Sequence, residues 1–260
     1  MSFTLENLSI IEKKINVVND PFPHSIIEDF LPKNLAESAE IEFNKFNQIS
    51  DSGNKLFQNT KKSYENFSEM PDSVKKIIKF LYSDEFIKIL EKKFNLENVE
   101  PDWDLHGGGM HESFKGGYLK VHSDFLYTRK SKLKRVLNIL LYLNSNWEKK
   151  WGGSIELWDK DMKSVKKSVT PILNNVVIFR TDTVSNHGFP DPIDCPENIS
   201  RKSIALYYYV KEKRFLPFSI KRRKYFHAIW KKRPNVNEPK FGDNDGFFKR
   251  LKHKFFYRFF

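Results

Sequence analysis

Residues 118–125 read YLKVHSDF, the first of six short runs that decide the fold. The other five, in chain order, are RVLNILLYLN (135–144), SIELWD (154–159), SVTPI (168–172), NVVIF (175–179) and SIALYYYV (203–210). These runs are rich in β-branched and aromatic residues and are separated by Gly, Pro and Asn, which is typical of strands. Because no long helix lies between them, we predict that residues 101–211 form an antiparallel sandwich or barrel.

Two amphipathic patterns precede these runs and predict helices that brace the sheet. The first follows a short strand entry within residues 20–46, and the second covers residues 71–94, where apolar residues recur at helical spacing. Residues 48–68 between them are polar and rich in Asn and Ser, which predicts a loop. We therefore expect residues 1–100 to supply a strand and bracing helices to the same domain.

The chain changes character after Lys211. Residues 212–260 interleave Lys and Arg with Phe, Tyr and Trp, and much of the net charge of +12 lies there. We interpret them as a basic aromatic extension beyond the core. Such a segment could bind an acidic peptide, a nucleic acid or an anionic membrane surface. A helix docked on the core and a disordered end are the alternatives.

The amino-acid composition limits the kinds of metal site and covalent cross-link that the chain can form. The single cysteine, Cys195, excludes an intrachain disulfide and any multi-cysteine metal site, so histidines and carboxylates must carry metal chemistry. The sequence shows neither a signal peptide nor an apolar run long enough to span a membrane. We expect a cytoplasmic protein that would touch a membrane only through residues 212–260.

One group of side chains has the composition of an iron site. His122 and Asp124 lie two positions apart in a predicted strand and point to the same side, and His187 follows a later strand. Two His and one carboxylate form the triad of non-haem Fe(II) oxygenases, which leaves three coordination positions open. Arg201 and Ser203 begin the last strand and could bind a dicarboxylate. The structural alternatives are a capping or surface pair for the first two residues and a solvated charge for Arg201.

The order of these elements resembles the 2-oxoglutarate/Fe(II) oxygenase superfamily, and most closely its prolyl 4-hydroxylase-like branch. The resemblance covers residues 106–210. It rests on GGYLKVHSDF (116–125), RVLNILLYLNSNW (135–147), GGSIELW (152–158), NVVIF (175–179), HGFP (187–190) and RKSIALYYY (201–209). It implies a mainly β protein whose core is a double-stranded β-helix, a jelly-roll-like sandwich, with N-terminal α-helices bracing one sheet.

The same resemblance implies roles for individual residues. It implies that His122, Asp124 and His187, which we call the triad, bind Fe(II) and are catalytic, and that Arg201 binds the distal carboxylate of 2-oxoglutarate. Four further residues are candidates for contacts with 2-oxoglutarate: Ser203, Asn138, Tyr118 and His111. Asn138 stands where related enzymes often carry Thr, and the last two are candidates for a tyrosine that other branches use.

The implied activity is that of a dioxygenase with O2 and 2-oxoglutarate as co-substrates and ascorbate as a candidate reductant. Oxidative decarboxylation of 2-oxoglutarate to succinate and CO2 would be coupled to hydroxylation of a substrate C–H bond. A prolyl peptide is the first substrate expected, and a small molecule, sugar or lipid is the alternative, because one fold serves many substrates. Two other classes stay open. A metal- or glycan-binding jelly-roll module would not need Arg201, and a metal-dependent hydrolase or epimerase would ignore 2-oxoglutarate.

Overall fold

Helices at the N-terminal end of the chain pack against one large sheet. The computed structural model describes residues 5–48, 50–51, 58–127, 133–211, 224–234 and 236. The α-helices are α1 (Leu5–Lys14), α2 (Lys33–Lys45), α3 (Asp72–Leu81) and α4 (Asp84–Phe94). The strands are β1 (His24–Ile27), β2 (Ser50–Asp51), β3 (Gln58–Tyr64), β4 (Val99–Pro101), β5 (Gly109–Ser123), β6 (Leu133–Tyr142), β7 (Ile155–Trp158), β8 (Val165–Val169), β9 (Val176–Arg180), β10 (His187–Phe189), β11 (Arg201–Lys211) and β12 (Ile229–Trp230).

The strand order confirms the predicted jelly roll. Neighbours follow the path β1-β9-β6-β11-β5-β10-β7-β8, and the pairs along it are antiparallel. Strand β5 pairs with β11 near its beginning, where Gly109 lies opposite Ala205, and with β10 near its end, where His122 lies opposite His187. The long strand β5 therefore joins the two halves of the sheet.

Strand β6 shows how the alternation of side chains divides the core. Its Leu137, Ile139 and Leu141 lie in a large buried cluster that includes the apolar faces of α1 to α4. Tyr142 instead packs in a second cluster inside the jelly roll. Because both faces of the strand are covered, its sequence is apolar almost throughout. Asn138 alternates with the helix-facing residues and therefore faces the interior of the jelly roll.

The single helix predicted over residues 71–94 is wrong in one respect, because the structure has two helices there. Helix α3 ends at Leu81 and α4 begins at Asp84. The hydroxyl of Ser83 accepts a hydrogen bond of 3.3 Å from the backbone N–H of Phe86, which is an N-cap. The break between α3 and α4 is therefore marked by the Ser83 cap, although the apolar pattern continues through it.

The loop predicted over residues 48–68 is also wrong, because β2 and β3 form a hairpin there and β3 pairs with β5. Strand β3 reads QNTKKSY, which lacks the apolar alternation that marks a half-buried strand. Part of it faces a polar pocket, as described below. A strand of this kind is not distinguishable from a loop by periodicity.

Part of the segment 212–260 joins the sheet. Strand β12 pairs with the end of β5, with Ile229 opposite Ser123 and Trp230 opposite His122. The other residues for which we predict contact with an anionic partner or a membrane lie largely outside the described residues. None of the described helices is both long enough and apolar enough to cross a membrane.

Candidate active site

The triad residues meet at the end of β5. His122 lies directly opposite His187, the first residue of β10, and their ring centroids are 4.6 Å apart. Asp124 follows β5 and places its two carboxylate oxygens 3.4 Å from Nε2 of His122 and 3.5 Å from Nε2 of His187. One ligand atom from each residue lies within 4.8 Å of the others. The three side chains are mutually placed to hold one metal ion.

The hydrogen bonds of the two histidines orient their Nε2 atoms for metal binding. Nδ1 of His122 lies 2.9 Å from the carbonyl oxygen of Lys120, and Nδ1 of His187 lies 2.9 Å from that of Ser185. Because a carbonyl oxygen only accepts, each Nδ1 must carry the proton, which leaves a lone pair on Nε2 in the neutral ring. Burial lowers the pKa of His187 to about 4, so this ring is neutral near pH 7.

Asp124 is kept ionised by neighbours that the sequence analysis did not identify as a group. Burial alone would raise the pKa of Asp124, but Arg135 and the two histidines outweigh burial and hold this pKa well below its usual range. Nη2 of Arg135 lies 3.3 Å from Oδ2 of Asp124. The same oxygen accepts a hydrogen bond of 2.6 Å from Nδ2 of Asn138, whose Oδ1 accepts a bond of 2.6 Å from Nε of Arg135. These three residues form a closed network.

Among the described residues, Arg135 is the largest that is fully buried. Its guanidinium carbon lies 3.4 Å from the centroid of the Tyr207 ring and 4.8 Å from that of Phe125. A buried guanidinium is stable only when it is paired, and the pairing with Asp124 provides this. The sequence signal is an Arg and an Asn three positions apart in residues 135–143, a run that is otherwise apolar.

A second cationic site lies at the start of β11. The Arg201 side chain is buried, its Nε donates a hydrogen bond of 2.7 Å to the carbonyl oxygen of Gly153, and its Nη2 lies 3.3 Å from the hydroxyl of Tyr142. Burial lowers the pKa of Arg201, although the guanidinium stays charged. Gly153 has φ +70°, and a Cβ there would lie 3.1 Å from Cδ of Arg201. Gly153 therefore has two roles: it adopts the backbone conformation of the turn, and it leaves space for the Arg201 side chain.

Tyr142 is a functional candidate that the sequence analysis missed. The family resemblance predicts a tyrosine near the distal carboxylate of 2-oxoglutarate, and His111 and Tyr118 are the candidates from the sequence. The buried hydroxyl of Tyr142 lies beside Arg201, where such a tyrosine is expected. His111 lies opposite Ser203 in the ladder between β5 and β11, and Tyr118 lies opposite Asn59 of β3. Nε2 of His111 is buried and has no hydrogen-bond partner among the described residues. The contacts of these candidates with 2-oxoglutarate stay predictions.

Lys61 of β3 is another residue that sequence reasoning missed. Burial lowers the pKa of Lys61 to about 8, while Asp124 and Glu65 act to raise it and Arg201 acts to lower it. The ammonium group is thus within electrostatic reach of both the triad and Arg201. Because the sequence predicts a loop for residues 48–68, it does not indicate that the Lys61 side chain lies near the triad.

Residues 224–234 cover the outer edge of the metal-ligand strand. The indole of Trp230 lies against His122, with ring centroids 4.8 Å apart, and the backbone N–H of Lys231 donates to the carbonyl oxygen of Val121. Arg233 forms an ion pair of 2.6 Å with Asp191 in the loop after β10. The ring of His122 therefore lies between His187 and Trp230.

Comparisons with known proteins agree with this geometry. The family model described as the 2OG-Fe(II) oxygenase superfamily matches residues 109–209. Prolyl 3-hydroxylase OGFOD1 of Mus musculus is 32% identical over 95 residues, which are 35% of this chain and only 16% of that protein. The match therefore spans a small part of the relative's length.

Two solved structures share the fold. A prolyl-4-hydroxylase from Pseudomonas putida aligns with 78% of this chain and 98% of its own, with a TM-score of 0.55 and 15% identity. A prolyl hydroxylase from Trichoplax adhaerens was solved in complex with a peptide fragment of the hypoxia inducible factor oxygen degradation domain. It aligns with 81% of this chain and 95% of its own, with a TM-score of 0.55 and 16% identity. At these identities the likeness shows a common fold.

Proposed function

We propose that this chain is an Fe(II)- and 2-oxoglutarate-dependent dioxygenase that hydroxylates prolyl residues in a peptide, because the model of the 2OG-Fe(II) oxygenase superfamily matches residues 109–209. One observation carries the proposal. Nε2 of His122, Nε2 of His187 and the carboxylate of Asp124 converge, and each imidazole has its proton fixed on Nδ1. Two neutral imidazoles and one carboxylate are the donor set that suits Fe(II) in oxygenases.

The bound metal, together with 2-oxoglutarate and O2, supplies the oxidising power that converts a substrate C–H bond into an alcohol, with succinate and CO2 as the other products. The chain's own residues hold and orient these components. Asp124 stays ionised because Arg135 and Asn138 donate to it, so it can bind the metal without first losing a proton. The carbonyl oxygens of Lys120 and Ser185 fix the orientation of the two imidazoles.

Arg201 and Tyr142 are suited to bind the distal carboxylate of 2-oxoglutarate. The Nε atom of Arg201 is held by the carbonyl of Gly153, which fixes the direction of the guanidinium. A charge-assisted hydrogen bond from the arginine and a second one from the tyrosine hydroxyl would orient a carboxylate. His111 and Ser203 lie opposite each other on the two strands beside this pair. We assign all four residues to the co-substrate pocket.

The substrate part of the proposal rests on the curated relative. That relative is named a prolyl 3-hydroxylase. The family model, for its part, matches residues 109–209, which include the triad and Arg201. The burial of Arg201 supports an oxygenase over a binding module, because a metal- or glycan-binding jelly roll would not need a buried arginine there.

An anaerobic titration of the metal-free protein with Fe(II) and then 2-oxoglutarate tests the proposal. We expect the visible charge-transfer absorption of a chelated complex in the wild type and its absence in His187→Ala. His106→Ala, which removes an exposed histidine outside the triad, is the matched control and should retain the band. Incubation with O2 and proline-containing peptides, followed by mass spectrometry, should then show the addition of one oxygen atom. If iron binds but no band forms, the oxygenase assignment fails and a hydrolase or binding module becomes the better account.

A further inference from the structure

A row of three residues crosses the inner face of the sheet. Arg201 of β11 lies directly opposite Ser113 of β5, and Ser113 lies directly opposite Lys61 of β3. Residues that lie opposite each other in antiparallel strands have their side chains on the same face. Lys61 therefore lies on the face that carries Arg201, with the hydroxyl of Ser113 between the two cations.

The neighbouring residues confirm this orientation. Lys62 belongs to the row formed with Glu112 and Lys202, and its ammonium lies 4.9 Å from the centroid of the Phe114 ring. Because side chains alternate along a strand, Lys61 points away from that row and into the pocket. The low pKa of Lys61, about 8, is caused first by burial and agrees with this placement.

The pocket around Lys61 has an excess of positive charge. Lys61, Arg135 and Arg201 all interact electrostatically there, whereas Asp124 is the buried carboxylate among the described residues that face them. Glu65, the other acidic neighbour of Lys61, is exposed and accepts a hydrogen bond from the backbone of Gly107. Such a pocket favours an anionic occupant.

A second observation also indicates an occupant. Nε2 of His111 is buried without a hydrogen-bond partner among the described residues, and His111 lies in the next inward-facing row, between Ser63 and Ser203. Buried polar atoms without partners are rare, and they indicate a group that the protein itself does not supply. The unpartnered nitrogen and the cations line the same face of the sheet.

We propose that Lys61 is a second cationic anchor for 2-oxoglutarate, acting with Arg201 from the opposite side of Ser113. This inference rests on the proposed function. The co-substrate is a dianion, and the iron chelate that the titration detects would take one of its carboxylates, so Arg201 and Lys61 would share the distal one. Lys61 interacts electrostatically with Asp124 as well as with Arg201, so it lies within reach of the space between the triad and the arginine. Through Lys61, the hairpin of β2 and β3 would form part of the co-substrate site.

The absorption titration described above tests the proposal with full-length protein and needs no turnover. We compare the wild type with Lys61→Gln, Lys61→Arg and the control Lys62→Gln, and we measure the affinities for Fe(II) and for 2-oxoglutarate separately. Loss of one charge-assisted hydrogen bond in a buried site should weaken 2-oxoglutarate binding roughly 10- to 100-fold in Lys61→Gln. Iron affinity should stay unchanged, Lys61→Arg should recover most of the loss, and Lys62→Gln should match the wild type.

The outcomes separate this inference from the proposed function. If the wild type gives no absorption band, the proposed function fails and this inference fails with it. A wild-type band whose 2-oxoglutarate affinity is unchanged in Lys61→Gln would overturn the role of Lys61 alone. An equally large loss of iron affinity in Lys61→Gln would also overturn it, because the lysine would then support the metal site.

Discussion

Nδ2 of Asn138 donates a hydrogen bond of 2.6 Å to the carboxylate of Asp124, and both residues lie against the guanidinium of Arg135. Asn138 is therefore connected to the metal centre through Asp124. The family resemblance predicts a place near the co-substrate for Asn138, and the structure shows its contact with Asp124 of the triad. Such a contact orients the ligand and raises the affinity of the site for metal.

Asn138→Leu should weaken Fe(II) binding. Leucine is similar in shape but removes the donor to Asp124 and the acceptor for Nε of Arg135, so Oδ2 of Asp124 keeps the guanidinium of Arg135 and loses the amide. Loss of such a supporting contact typically lowers metal affinity by roughly 10- to 100-fold. Competition with a chromophoric chelator measures the change. Asn146→Ala, in an exposed turn, is the control and should bind iron as the wild type does. An unchanged affinity in Asn138→Leu would show that Arg135 alone holds Asp124.

Arg201→Gln should weaken 2-oxoglutarate binding and leave iron binding intact. The guanidinium is held by Gly153 and Tyr142, outside the triad, so its removal affects the distal carboxylate only. The loss should be about 1.5–3 kcal/mol, the usual value for a hydrogen bond to a charged group. Tyr142→Phe should lose about 0.5–1.5 kcal/mol, because its hydroxyl is neutral. Titration of the iron-loaded protein with 2-oxoglutarate gives both values.

The control for Arg201→Gln is Lys202→Gln. Lys202 is the next residue of β11 and lies opposite Glu112, on the other face of the strand from Arg201. It should bind 2-oxoglutarate with wild-type affinity. Equal losses in both variants would mean that β11 has been disturbed as a whole, and the assignment of Arg201 to the pocket would not stand.

The stability of the fold should decrease in mild acid because of His24 in β1. This ring is buried, its Nδ1 lies 2.8 Å from the carbonyl oxygen of Phe22, and burial lowers the pKa of His24 below its ordinary value of about 6.5. The folded chain therefore disfavours the protonated ring. The stabilisation is present above about pH 6.5 and is lost as the pH falls towards the lower pKa of the folded state, with a slope of at most about 1.4 kcal/mol per pH unit.

Thermal unfolding at about pH 7.5 and about pH 5.5 measures this contribution. His24→Gln is neutral at both values, so its melting temperature should change less between them than that of the wild type. His187 titrates in both proteins, and the comparison cancels its contribution. His106→Gln removes an exposed histidine and should behave as the wild type. The role of His24 is refuted by an equal acid shift in wild type and His24→Gln.

The jelly roll and the pair of His122 and Asp124 could be predicted from local periodicity, whereas His187 is predicted from the order of elements that resembles the oxygenase superfamily. His122 lies at the end of β5 and Asp124 directly follows that strand, and the strands of the core are continuous apolar runs that carry a clear signal. Arg201 stands at the start of such a run and is buried, and its binding of 2-oxoglutarate stays a prediction. Gly188, between His187 and Phe189, illustrates the limit, because a Cβ there would lie 2.7 Å from the carbonyl oxygen of Leu119, a contact that no local pattern indicates.

The residues that were missed depend on long-range register. Lys61 joins the pocket only because β3 pairs with β5 so that Lys61 and Arg201 flank Ser113. Trp230 contacts His122 only because β12 pairs with the same strand. Both segments are short or polar, and their pairing with β5 has no signature in composition. Sequence periodicity therefore predicts the core strands better than it predicts the residues that surround the site.

Two truncations should separate the part of the segment 212–260 that supports the metal site from the rest. Ending the chain after Lys211 removes β12, the indole that lies against His122 and the backbone hydrogen bond to Val121. The edge of β5 beside the iron ligand would then be open to water. We expect iron affinity to fall roughly tenfold or more, as for other losses of support around a metal ligand.

Ending the chain after Val236 is the matched control, because it retains residues 224–234 and every contact described for them. This shorter deletion should bind Fe(II) with wild-type affinity, as measured by chelator competition. Trp230→Ala in the full-length chain should reproduce part of the loss caused by the longer deletion, since it removes the indole and keeps the backbone pairing. If the deletion after Lys211 binds iron as tightly as the full-length protein, the pairing of β12 with β5 contributes nothing to the metal site.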